Sequence, residues 1–356
     1  MALRILLVDS GREWRGGQRQ VLLLAEGLRD DGFEPLVVVS PASPLAQRLR
    51  ARGLAVSAIR MRGTWDLAAA RRVRALVRTW RPDVVHVHDA RAYAVVLAAL
   101  VRRPEIPLVV TRRLAHAPRG LGVTYGRRVT RFIAATLPAR DVLVGLGVEP
   151  ERIDVVHVGL PPPVVERPRD WRAECRWPAD AVLCGVVAGV GGPSTEMLEA
   201  IAEHLAPRAR ERARLLVLGG SGSGSGAGVV GRVEAFGAGF VDDVHAAIAG
   251  LDVLWHLGGE GLGTAVIEGM ALGVPSVAFA VGAIPEIVLH GRTGLLAPVG
   301  DAPAFADSAR RLIEDDALRR RLGAAGPARA REFDARRMVE MTEQVYRAVL
   351  SAPVAP

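Results

Sequence analysis

Lysine is absent from this 356-residue chain: all 46 basic residues are arginine, against 38 acidic ones, for a net charge of +8. An excess of arginine has two readings. It can attract an anionic partner, such as a nucleotide or an anionic membrane surface, or it can reflect a coding bias toward Arg and Ala. Aromatic residues are scarce, at 4%. Without aromatics interleaved among the arginines, nothing marks a nucleic-acid binder. The core must then be built from Val, Leu, Ile and Ala, which suits buried parallel strands. Cysteine is nearly missing too. Cys175 and Cys184 have neither redox nor metal-ligand spacing, which fits a reducing, cytoplasmic setting. No apolar run reaches the roughly 20 residues of a membrane-spanning helix; the longest, 92–101, stops at Arg102-Arg103. The opening apolar run is too short for a signal peptide and reads as a first strand.

What is present is alternation. Apolar runs at 5–8, 35–39, 56–59, 84–87, 108–110, 133–135 and 155–158 read as strands. Between them, 18–29, 44–52, 65–80, 91–101 and 138–146 carry helical spacing, and 125–131 also looks helical. Such β-α alternation argues for an α/β fold, a doubly wound parallel sheet covered on both faces. Pro161-Pro162-Pro163 interrupts it and marks a linker. The alternation restarts at 182–187 and ends in three helices, 303–314, 317–325 and 335–350. Residues 1–163 and 164–334 therefore read as two domains, followed by a terminal helix within 335–356. The run Gly219–Gly228 looks like a flexible linker.

The densest chemistry lies in Glu260-Gly-Leu-Gly-Thr-Ala-Val-Ile-Glu268, which follows a strand and opens a helix. Gly261 and Gly263 allow a tight turn, so amides at Leu262, Gly263 and Thr264 can face a diphosphate at the helix N-terminus. Glu260 stands at the loop rim, placed for sugar hydroxyls. Glu268 lies about one turn into the helix, where a carboxylate can accept both hydroxyls of a ribose. In the first half, His86 and His88 flank Val87 at a strand end and share one face. A buried histidine is usually structural, but His88 stands at the carboxyl end, where open α/β sheets bind ligands. Asp89 and Arg91 open the next loop, and Arg112 and Arg113 follow another strand end; all four are candidates for contact with an acceptor. Asp242-Asp243 precedes a helix and reads as an N-cap, not a metal pair. Arg71, Arg72, Arg74 and Arg78 form the outer face of one helix, either solvated or resting on anionic lipid.

The segment 260–298 resembles the signature of the retaining family 4 glycosyltransferases. Gly16-Gly17-Gln18, the stretch 82–88 ending in His88, the stretch 150–156, and 240–244 fall in that family's order and spacing. The resemblance implies a GT-B fold: two Rossmann-like domains facing a cleft, with the terminal helix crossing back to the first. It implies transfer of a sugar from a nucleotide-sugar donor to a saccharide or lipid-linked acceptor, in cell-envelope glycan synthesis, without metal or cofactor. Glu260 and His88 would act at the transferred sugar. Glu268 would hold the ribose, the amides at Leu262, Gly263 and Thr264 the diphosphate, and Gly16 and Gly17 would form the facing loop. The protein would be cytoplasmic or peripheral at the inner membrane face.

The chain departs from the family at one point. An Arg and a Lys usually follow the first strand of the second domain and clamp the diphosphate. Here that stretch, 185–196, has no basic residue. If the enzyme is active, compensation is expected from Arg12, Arg15, Arg19, Arg112 or Arg113. A non-catalytic binder of the same fold and a sugar-nucleotide epimerase remain as alternatives.

Overall fold

The computed structural model describes residues 2–64, 66–113, 128–188, 194–219, 226–258 and 262–351. Its elements run β1 (Arg4–Val8), α1 (Gly16–Asp30), β2 (Glu34–Val39), α2 (Pro44–Ala51), β3 (Ala55–Ala58), α3 (Leu67–Trp80), β4 (Val84–Val87) and α4 (Ala90–Ala99). Next come β5 (Leu108–Arg112), β6 (Arg131–Ala134), α5 (Leu137–Gly145), β7 (Ile153–Val155), α6 (Trp171–Cys175), β8 (Val182–Ala188), α7 (Thr195–His204) and α8 (Pro207–Arg212). Then β9 (Ala213–Gly219), β10 (Gly226–Val230), β11 (Val233–Gly239), α9 (Val244–Ala249), β12 (Val253–His256), α10 (Thr264–Ala271) and β13 (Ser276–Phe279) follow. The chain ends with α11 (Ile284–Ile287), β14 (Gly294–Ala297), α12 (Ala302–Glu314), α13 (Asp316–Ala330) and α14 (Ala335–Ser351).

Two units emerge, Met1–Gly159 with Ala335–Pro356, and Leu160–Asp334. The division falls just before the proline run. The first unit is a seven-stranded parallel sheet in the order β3-β2-β1-β4-β5-β6-β7. Its strands bury aliphatic side chains on both faces, which the near-continuous Val, Leu and Ile of β1, β2 and β4 permit. The second unit holds a sheet in the order β10-β11-β9-β8-β12-β13-β14, parallel except for β10, which runs antiparallel to β11. These are two Rossmann-like sheets.

Helix starts follow local chemistry. The Ser43, Asp66, Asp89 and Thr136 side chains each accept a main-chain N–H in the first turn of α2, α3, α4 and α5; Ser194, Asp243, Asp301 and Asp315 do so for α7, α9, α12 and α13. Asp243 is thus an N-cap.

Three expectations need correction. Arg131 is not helical but begins β6; residues 125–127 lie outside the described set. The Gly/Ser run is not all linker, since 226–230 pair as a strand, while 220–225 are not described. Arg74 does not join the outer face of α3: its guanidinium donates to the Ala98 and Ala99 carbonyls at the end of α4, whose last carbonyls have no helical partner.

α14 packs on the first unit. Met338, Val339, Val345, Tyr346 and Val349 join the core formed by β1, α1 and β2. At its edge Glu343 hydrogen-bonds Asp31, the residue just after α1. Two carboxyls in contact need a shared proton. Burial and then Asp31 push Glu343 up to about 7, while hydrogen bonds from Arg336 and Glu343 hold Asp31 below its usual range. A carboxyl raised on folding stabilises while protonated, and that contribution fades as pH rises through the folded value. Stability of the first unit should therefore fall between about pH 4.5 and 7, and Glu343→Gln should flatten that segment in denaturant titrations across pH. An unchanged slope would remove Glu343 as its source.

Candidate active site

In each sheet the chain reverses winding direction once, and ligands bind outside the carboxyl ends of strands at such a point. In the first unit that point lies between β1 and β4. Asp9 and Ser10 leave β1 there. His88 and Asp89 leave β4, and Arg113 leaves β5. Asp89 ties the crevice together. It accepts the Ser10 N–H and hydroxyl, both at 2.6 Å, and the Arg91 and Ala92 N–H groups at 3.0 and 2.9 Å. With both oxygens so used, Asp89 braces β1 against α4, and Arg91 enters this network through its main chain.

Asp9 is buried and accepts from the Gly11 N–H at 2.8 Å and from the Gln18 amide at 3.1 Å. Burial and the Asp89 charge raise its pKa, against the opposing pull of Arg113 and Gln18. Gly16 and Gly17 open α1. A Cβ at Gly17 would stand 3.2 Å from Arg113 Nη1, so this glycine gives the guanidinium room. Arg112 ends β5 and is half-buried. Among the five arginines expected to compensate for the missing pair, Arg113 is held by His88 and Arg15 is ion-paired to Glu13.

His86 and His88 are both buried, with ring centroids 4.1 Å apart. His86 Nδ1 meets the Tyr346 hydroxyl of α14 at 2.6 Å, and Nε2 meets Thr111 Oγ1 at 2.7 Å. Desolvation, then Arg113, push His86 down to about 3. Desolvation, His86 and Arg113 hold His88 well below the usual histidine range. Both imidazoles are neutral at pH 7. A cavity of about 30 Å³ lies beside them, lined also by Gln20, Thr111, His157 and Thr342.

In the second unit the winding reverses between β8 and β12. Glu260 and Gly261 lie outside the described residues, as do 189–193 of the stretch lacking the cation pair. Leu262 and Gly263 follow, and Gly263 caps α10 with φ +68°, the left-handed region that favours glycine. A Cβ there would also stand 2.5 Å from Ile287 Cδ1. Thr264 starts the helix. Glu268 is 7% exposed, not solvated, and its Oε1 lies 3.3 Å from His245 Nε2 on α9. His245 was not legible as a site residue: only the Asp243 cap, which sets where α9 begins, hints at it.

The sequence comparisons divide along the same lines. Residues 14–162 match the model for Glycosyltransferase Family 4, and residues 185–315 match that for Glycosyl transferases group 1. Phosphatidyl-myo-inositol mannosyltransferase of Mycobacterium leprae is 27% identical, over 95% of this chain and 94% of its own length. D-inositol 3-phosphate glycosyltransferase of a Nocardioides species is 33% identical over 59% of this chain and 52% of its own. Among solved structures, HepE of Anabaena in complex with UDP superposes with a TM-score of 0.81 at 18% identity, covering 97% and 100% of the two chains. A glycosyltransferase of Rickettsia africae gives 0.82 at 14%, covering 99% and 100%. The chain belongs to the family 4-like glycosyltransferases, and its fold is GT-B.

Proposed function

We propose that this protein transfers a sugar, with retention of anomeric configuration and without a metal, from a nucleotide-sugar donor to a hydroxyl of a saccharide or lipid-linked acceptor in cell-envelope synthesis. The observation that carries this reading is the α10 entrance: a left-handed Gly263, Thr264 and Ala265 amides at a helix start where no helical acceptor precedes them, and Glu268 buried one turn later. In this reading the amides hold the diphosphate, Glu268 the ribose, and Glu260 and His88 the transferred sugar. Relatives named for phosphatidyl-myo-inositol and D-inositol 3-phosphate support a cyclitol or sugar acceptor bearing phosphate.

Release of nucleoside diphosphate, followed over a panel of nucleotide sugars with inositol phosphate and phosphatidylinositol as acceptors, tests this. Acceptor-dependent release is the expected result. If nucleotide sugars raise the melting temperature and no pair turns over, the protein is a binder. The absence of a basic residue from 185–196 favours that second reading, since transfer needs support for the leaving diphosphate. Ligand at about 100 times its Kd should add about 2.7 kcal/mol of stability, enough to see binding alone. Glu260→Ala should lower kcat far more than donor affinity; an equal loss in both would remove its assigned role at the sugar.

A further inference from the structure

Arg113 leaves β5 buried; burial disfavours its charge, and the carboxylates of Asp9 and Asp89 oppose that effect. Its hydrogen bonds, however, go to His88. Nη1 donates to the main-chain oxygen at 2.9 Å, and Nη2 lies 3.2 Å from Nδ1. A guanidinium is donor only and stays protonated. His88 Nδ1 must therefore accept. A neutral imidazole carries one proton, which then sits on Nε2. That atom is buried and has no partner among the described residues. The cavity that His88 lines is about 30 Å³, room for one hydroxyl or water-sized group and not for a sugar ring.

We propose that Arg113 is a positioning residue: it locks His88 as the Nε2–H tautomer, so that the histidine offers a hydroxyl oxygen of the bound sugar a hydrogen-bond donor and cannot serve as a general base. The catalytic half of this rests on His88 standing at the transferred sugar, as proposed above; the tautomer does not. The groups facing the imidazole are consistent with one neutral form. Asp9 and Asp89 come from the ends of β1 and β4, His86 from β4, Tyr346 from α14 and His157 from beyond β7. Asp9 is engaged by Gln18 and Gly11, Asp89 by Ser10 and α4, His86 by Tyr346 and Thr111, and His157 Nδ1 by the Ala135 carbonyl. Only Arg113 addresses His88 Nδ1 among the described residues. Gly17 belongs to the same device, because any side chain there would press on the guanidinium.

Long-range ¹H–¹⁵N correlation of histidine-labelled protein reads the tautomer directly, with His88→Gln assigning the signals. Protonation at Nε2 alone is expected in the wild type; an Nδ1–H signal overturns the proposal whether or not the enzyme turns over. With an active donor–acceptor pair, Arg113→Met should lower kcat about 10- to 100-fold, the loss seen when the partner orienting a metal-bound histidine is removed, while the donor KM moves less than about threefold. Arg113→Lys keeps a donor and a charge and should recover part of kcat. Unchanged kcat in Arg113→Met overturns the proposal. If that variant fails to fold, Gly17→Ala takes its place: a lowered kcat at near-normal melting temperature supports the lock, and unchanged kcat with a displaced Arg113 overturns it.

Discussion

Glu268→Ala should weaken nucleotide-sugar binding by about ten- to a hundredfold. A hydrogen bond to a charged group contributes about 1.5–3 kcal/mol, and each 1.4 kcal/mol is a factor of ten. Glu268 is suited to this by placement as well as by charge. It sits one turn into α10, almost out of solvent, with His245 against one oxygen. The carboxylate is thus held before a ribose arrives, so little side-chain freedom is lost on binding. Glu268→Gln keeps the shape but not the charge and should fall between wild type and alanine. Calorimetry with the preferred donor and with its free nucleoside diphosphate reads both. Equal affinity of wild type and Glu268→Ala for every nucleotide would mean that the ribose is held elsewhere.

Gly27→Val should destabilise the first unit by about 2–3 kcal/mol, the upper part of the range for overpacking a filled core. The melting temperature would drop by roughly 4–12 °C for a unit of this size. Gly27 lies on the face of α1 that meets α14, and a Cβ there would fall inside contact distance of both γ-methyls of Val339. Valine is stiff at χ1 and cannot swing clear, so the helices must separate. Val339→Ala removes those methyls, and the double variant should regain part of the loss. If the double variant is as unstable as the sum of the singles, the clash lies elsewhere.

The sheets could be read from the sequence because buried parallel strands leave long aliphatic runs, as at β1 and β2. Strands without such a run escaped: β10, Gly-Ala-Gly-Val-Val, has glycine at two of its five positions and is ordered by pairing with β11. α6 and α8 are too short, at 5 and 6 residues, to show a period. At the candidate site, Gly263, Thr264 and Glu268 could be picked out because they stand at local spacing along one turn and helix. Asp9 could not, since its place as a buried carboxylate depends on Gln18 and Arg113 meeting it across β1, α1 and β5. Arg113 was legible as a cation after a strand, but its engagement with His88 is a tertiary fact. Likewise, His86 could be expected to be buried, yet its partner Tyr346 stands 260 positions away.

The composition of the first unit sets an order of events in the cell. Its core is completed by Met338, Val339, Val345, Tyr346 and Val349, which leave the ribosome only after all of Leu160–Asp334 has been made. At about 5–20 residues per second, the sheet that begins the chain waits on the order of ten seconds or more for its last helix. During that wait, the faces of α1 and the β1–β2 region that α14 will cover stay open to water and to other chains. The second unit, contiguous in sequence, can close as soon as it emerges. The half of the protein that is synthesised first is therefore the half that matures last.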